Sequence, residues 1–102
     1  MPLYKYEYLE VTCLERKKFR VDQMREAVAF LREQPQSEYV GLSAITNYHS
    51  KEFGFRLKAS PMITLKNING RTPTQLWEMF DADVTRQVKY FEHRMSKSAG
   101  RP

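Results

Sequence analysis

The sequence predicts an α+β domain of two layers. About four mainly antiparallel strands form one sheet, with two helices on one face, in the order β-α-β-β-β-α. Three observations predict it. The N-terminal run LYKYEYLEVTC repeats Tyr4, Tyr6 and Tyr8 with period two, as a strand does. Two later stretches repeat apolar residues at spacings of three and four, as amphipathic helices do. Between them lie three short apolar runs joined by short links, for which a meander of antiparallel hairpins is the simplest topology.

The first strand is expected over residues 3–13. Leu9, Val11 and Cys13 have the opposite parity to the tyrosines, so either its end is buried on both faces or a bulge near Tyr8–Leu9 exchanges them. The basic run ERKKFR, residues 15–20, is expected to be a loop. Asp22 then has the chemistry of an N-cap. Met24, Ala27, Val28 and Leu31 follow at helical spacing, while Arg25, Glu26, Arg32 and Glu33 face away. Pro35 ends this helix near Gln34.

The next strands are expected at 39–47, 52–58 and 62–68, the last entered through Ser60-Pro61. Asn69-Gly70 marks a turn. In Thr72-Pro73-Thr74-Gln75, Thr72 can cap free N–H groups, Pro73 sits where its missing N–H costs nothing, and Gln75 completes a capping box. The helix it opens should reach about Met95 on a stripe of Trp77, Phe80, Val84, Val88, Phe91 and Met95. Its acidic residues come early and its basic ones late, as the helix dipole favours. Residues 1–97 are expected to form one domain and 98–102 a flexible tail.

Lys51-x-Phe53-Gly54-Phe55 resembles the RNP1 octapeptide of the RNA-recognition-motif family, whose third strand presents aromatic side chains to RNA. That resemblance implies that Phe53 and Phe55 face the nucleic acid. Strand alternation opposes this, because Arg56 and Lys58 would then point at the helices, and burying unpaired charges costs several kcal/mol each. Arg56 also stands where the family pattern has valine. The opposite register is expected instead, with Phe53, Phe55, Leu57, Tyr4, Tyr6 and Tyr8 against the helices and Arg56 and Lys58 in water.

The 102 residues carry a net charge of +5, with 41% hydrophobic and 28% charged residues, which fits one globular domain. The positive balance suits either plain solvation or an anionic partner such as nucleic acid. The single cysteine, Cys13, cannot close an internal disulfide, so a disulfide scaffold is excluded. The N-terminus does not read as a signal peptide, and no apolar run has the length of a membrane span, so a cytoplasmic protein without a membrane partner is expected.

No catalytic residue, metal ligand or cofactor is expected. His49 and His93 have no acidic or nucleophilic partner fixed by spacing, and Cys13 with two distant histidines has no metal-ligand pattern. Asp81 and Asp83 diverge on a helix, and the glycines form no phosphate loop. The basic residues carry more. Arg16, Lys17, Lys18 and Arg20 precede the first helix, and Arg56 and Lys58, with Lys66 nearby, are expected on the outer sheet face. These six, Arg16, Lys17, Lys18, Arg20, Arg56 and Lys58, are the candidate nucleic-acid-binding set of a non-enzymatic binding or regulatory protein. Arg86, Lys89 and His93 share the last helix with Tyr90 as a further basic surface. The alternative is a protein-binding module, an inhibitor or adaptor, acting through an edge strand, for which the Tyr-rich first strand is the candidate, or through the last helix. It could be a homodimer through Trp77, Phe80, Val84 and Phe91.

Overall fold

The computed structural model describes residues 2–99, with side chains described through residue 97. The expected α+β class is present. Strands β1 (Tyr6–Thr12), β2 (Lys17–Phe19), β3 (Gly41–His49), β4 (Arg56–Ala59) and β5 (Met62–Ile63) form one antiparallel sheet. Helix α1 (Met24–Glu33), the short α2 (Leu65–Ile68) and the long α3 (Pro73–Ala99) complete the chain. The strand order is β2-β1-β3-β4, and β5 pairs with the first half of β3 while β4 pairs with its second half.

Several expectations change, beginning with the strands. Residues 15–20 are not wholly a loop, because Lys17–Phe19 pairs with Leu9–Val11 as β2. Charge reads as loop in isolation, but Phe19 packs against Phe30, and this tertiary contact fixes the hairpin. The strand expected at 52–58 begins only at Arg56. Ser50 to Phe55 form the β3–β4 turn, closed by Ser50 N–H to Phe55 O at 2.9 Å and Gly54 N–H to Ser50 O at 2.8 Å. Gly54 has φ +72°, a conformation that strains other residues. The strand expected at 62–68 stops at Ile63, and Thr64 O then accepts the N–H groups of Asn67 and Ile68 to start α2. Finally, β1 is no edge strand, since β2 and β3 flank it.

Helix starts follow local chemistry. Asp22 does not cap α1. It sits in a 3-10 turn at Val21–Gln23 and pairs with Arg20 Nε at 3.2 Å, while the Gln23 side chain accepts the Arg20 N–H at 2.8 Å. The capping box of α3 forms as expected. Thr72 N–H donates to Gln75 Oε1 at 2.9 Å, and Gln75 N–H donates to Thr72 Oγ1 at 3.2 Å. Helix α3 continues through Ala99, and the rest of the expected tail, 100–102, lies outside the described residues.

The register of β1 shifts between Tyr6, opposite Thr46, and Tyr8, opposite Ile45. The extra residue is Glu7, so the bulge lies slightly before the Tyr8–Leu9 position expected. It sends Tyr6 to the helical side with Leu9 and Val11, and turns Tyr8 to the opposite face. Tyr8 therefore does not join the core as the sequence pattern suggested. Phe55 and Leu57 do, Phe53 is half-buried in the turn, and Arg56 and Lys58 are exposed, so the register that excludes the RNA-recognition-motif reading is the one found.

The core lies between the sheet and α1 and α3, with Leu9, Leu31, Leu42, Leu76, Phe80 and Val84 fully enclosed. Tyr6 packs at a tilt against Trp77, 4.8 Å between ring centroids, and Phe55 meets Phe91 at 5.8 Å. Asp81 latches the N-terminal segment to α3. It accepts the Tyr6 hydroxyl and the Leu3 N–H, each at 2.8 Å, and Tyr4 Oη shares a hydrogen bond with Thr85 one turn on.

Burial, reinforced by the hydrogen bond to Asp81 and its negative charge, pushes the Tyr6 phenol far above the ordinary tyrosine range. The folded chain keeps this proton where the unfolded chain releases it. The contribution is whole below about pH 10 and is lost above it, by up to about 1.4 kcal/mol per pH unit. Tyr6→Phe should cost about 1–2 kcal/mol at neutral pH and flatten the alkaline decline. Urea unfolding near pH 8 and pH 11 measures both, and an equal decline in the two proteins would show that Tyr6 does not set it.

Candidate nucleic-acid interface

The helices cover one face of the sheet and leave the other open. Pairing fixes what the open face presents. Lys18 lies opposite Glu10 and Glu10 opposite Ser43. Tyr8 lies opposite Ile45, Asn47 opposite Lys58, and His49 opposite Arg56. These residues alternate with the buried Leu9, Val11, Leu42, Ala44, Leu57 and Ala59, so beyond the bulge at Glu7 the period-two rule assigns both faces.

A concavity of about 630 Å³ occupies the middle of the open face. Ile45 lies within it, only 4% exposed although among the described residues no helix packs on this side. Tyr8, Thr12, Ser43 and Ser60 also line it, and Arg16, Lys18 and Lys58 bring its positive charge, with Glu10 the one acidic residue. Lys18 on β2 and Lys58 on β4 are separated by about three strand spacings, about 14 Å. Lys18 Nζ lies 4.5 Å from the centre of the Tyr8 ring, which joins a cation to the one aromatic ring of the concavity. Among the described residues none of Arg16, Lys18, Arg56 and Lys58 forms an ion pair.

The six candidate residues thus divide. Arg16, Lys18 and Lys58 meet at the concavity, and Arg56 lies on the same face two residues from Lys58. Lys17 points to the helical side, with Nζ 5.3 Å from the Phe19 ring centre and 4.8 Å from that of Phe30. Arg20 is held by Asp22. Lys66 is on α2 rather than beside Lys58. Residue spacing could not separate Lys17 from Lys18, because that needs the register of a strand expected as loop. It could not place Tyr8 either, because the bulge sets its direction.

The other surfaces are as follows. His49 is exposed on the open face and His93 on α3, and the Cys13 thiol donates to Glu15 O at 2.5 Å. Arg86 pairs with Asp83, and Arg94 lies over Tyr90, which is 57% exposed. Trp77, Phe80 and Val84 are buried within the single chain and Phe91 is half-buried against Phe55, so the expected dimer residues are taken up by the core, and the large apolar residues exposed on α3 are Tyr90 and Met95. No helix among the described residues is long and apolar enough to cross a membrane. Comparison of the chain with protein-family models, with curated proteins and with solved structures returns no match.

Proposed function

We propose that this protein is a non-enzymatic binder of nucleic acid that lays the phosphate backbone across its open sheet face. One observation carries the reading. Arg16, Lys18 and Lys58, none of them in an ion pair among the described residues, converge on a concavity that also holds the Tyr8 ring and has Glu10 as its one acidic residue. Lysine and arginine hold phosphates and release counterions, and a tyrosine face stacks on bases without regard to sequence. A single strand suits this site better than a duplex, since its bases can splay onto the ring and no element projects from the sheet to enter a groove. A cytoplasmic, regulatory role is consistent with this reading and is part of the proposal.

The test is a salt titration of short single-stranded DNA and RNA, followed by fluorescence anisotropy. With three or four phosphates engaged, log K should fall with log salt at a slope of about −2 to −3, taking about 0.7 per contact on single strands. Absence of binding at low salt overturns the proposal. A protein-binding role would then lead, on a specific observation. Leu14 and Tyr39 are exposed at a 400 Å³ cleft with Cys13, Pro35 and Val40, an apolar surface that a partner chain could cover.

A further inference from the structure

The helical layer, on the other side of the sheet from the basic face, holds a second concentration of positive charge. Arg25, Val28 and Arg32 share one side of α1, at spacings of three and seven residues. Arg71 approaches them from the segment that leads into α3. Together with Pro73 and Leu76 these residues line a cleft of about 260 Å³. Three of its six lining residues are arginines and none is acidic. Among the described residues no carboxylate pairs with any of the three. Neither Glu26 nor Glu33, on the same helix, reaches them.

The arrangement is partly set in advance. Gly70, with φ +80°, turns the chain after α2, and Arg71 N–H donates to Ile68 O at 3.1 Å. The Arg71 guanidinium donates from Nη1 to Asn67 O, which tethers the group at the cleft and engages one of its five N–H donors. Arg25 and Arg32 are separated along α1 by about 10 Å, so they stand toward the two ends of the cleft. Val28 and Leu76 are nearly inaccessible and give it an apolar wall.

We propose that this cleft binds a phosphate monoester carried on a small apolar group. Three guanidinium forks match the three terminal oxygens of such a group, whereas a carboxylate offers two and a phosphodiester has two of its oxygens esterified. The volume takes a phosphoryl group and one small ring and is below the range of about 300 Å³ at which larger ligand sites begin. The apolar wall fits the ring. The ester could be a free metabolite or a phosphorylated side chain of another protein, since the recognised chemistry is the same. This inference is independent of the sheet-face reading, because the two sites share no residue.

The experiment titrates phenyl phosphate into the full chain, followed by backbone and arginine side-chain NMR shifts. Phenol and a dinucleotide phosphodiester serve as controls. Saturable shifts at Arg25, Arg32 and Arg71 are expected with phenyl phosphate alone. Affinity should fall several-fold between about pH 7.5 and pH 5, as the monoester takes up its second proton near pH 6 while the arginines stay charged. The exposed-site variants Arg25→Gln and Arg71→Gln should each weaken binding at least tenfold with an unchanged circular dichroism spectrum. Arg71→Lys should fail to restore it, because lysine lacks the fork. A peptide carrying phosphotyrosine that binds more tightly than phenyl phosphate would assign the site to a phosphorylated protein, and equal affinity would assign it to a small ester. No saturable shift at millimolar phenyl phosphate overturns the proposal. So does binding that survives both glutamine variants.

Discussion

Phe80→Ala should destabilise the protein by about 3–5 kcal/mol, the range for truncating a buried aromatic residue. Phe80 is 0% exposed and is the largest side chain so enclosed. It lies one turn from Trp77, with ring centroids 5.9 Å apart, and Trp77 in turn packs against Tyr6 of β1. The ring therefore joins α3 to the sheet, and an alanine leaves a cavity that a 27-residue helix cannot collapse around without tilting. Domains of this size are stable by about 5–15 kcal/mol in total, and each kcal/mol moves the melting temperature by about 4–8 °C. Urea unfolding followed by Trp77 fluorescence measures the loss. A change below about 1 kcal/mol would mean that α3 does not pack on the sheet through this residue.

The α+β class and both main helices were legible because each rests on a local rule. Period-two tyrosines mark β1, and the Thr72 to Gln75 capping box fixes the start of α3 to the residue. What escaped depended on partners distant in sequence. β2 looks like a charged loop until Phe19 finds Leu9 across the sheet and Phe30 on α1. Thr64 to Ile68 continues an apolar run that reads as strand, and the chain instead turns into α2 so that Ile68 reaches the core. The boundary between turn and strand at Ser50 to Arg56 depends on the φ +72° of Gly54, and an isolated glycine does not announce that angle.

The candidate site was legible as composition and illegible as geometry. Arg56 and Lys58 could be turned outward from alternation alone, given that Phe55 and Leu57 turn inward. Lys17 and Lys18 are adjacent in a basic run, and only the pairing of Lys18 with Glu10 and of Lys17 with Val11 sends them to opposite faces. Tyr8 shares its parity with the buried Tyr6 and reaches the open face only because Glu7 is an extra residue in β1. The three arginines of the helical cleft are separated by up to 46 positions, so no sequence window contains them all.

The central claim is that the open sheet face, and not the basic charge of the chain as a whole, holds the nucleic acid. Two double variants with the same net charge test it. Lys18→Ala with Lys58→Ala removes two of the three cations of the concavity and leaves Arg16. Lys17→Ala with Arg20→Ala removes one lysine that covers Phe19 and Phe30 and one arginine already paired with Asp22. The measurement is the slope of log K against log salt on the same single-stranded oligonucleotide. The first variant should be shallower than wild type by about 1.4, two contacts at about 0.7 each, and weaker by about 10–100-fold near 50 mM salt. The second should keep the wild-type slope, with at most a modest stability loss from the missing cation–π contacts. Equal flattening in both variants would attribute binding to net charge alone and contradict the assignment of the site to this face.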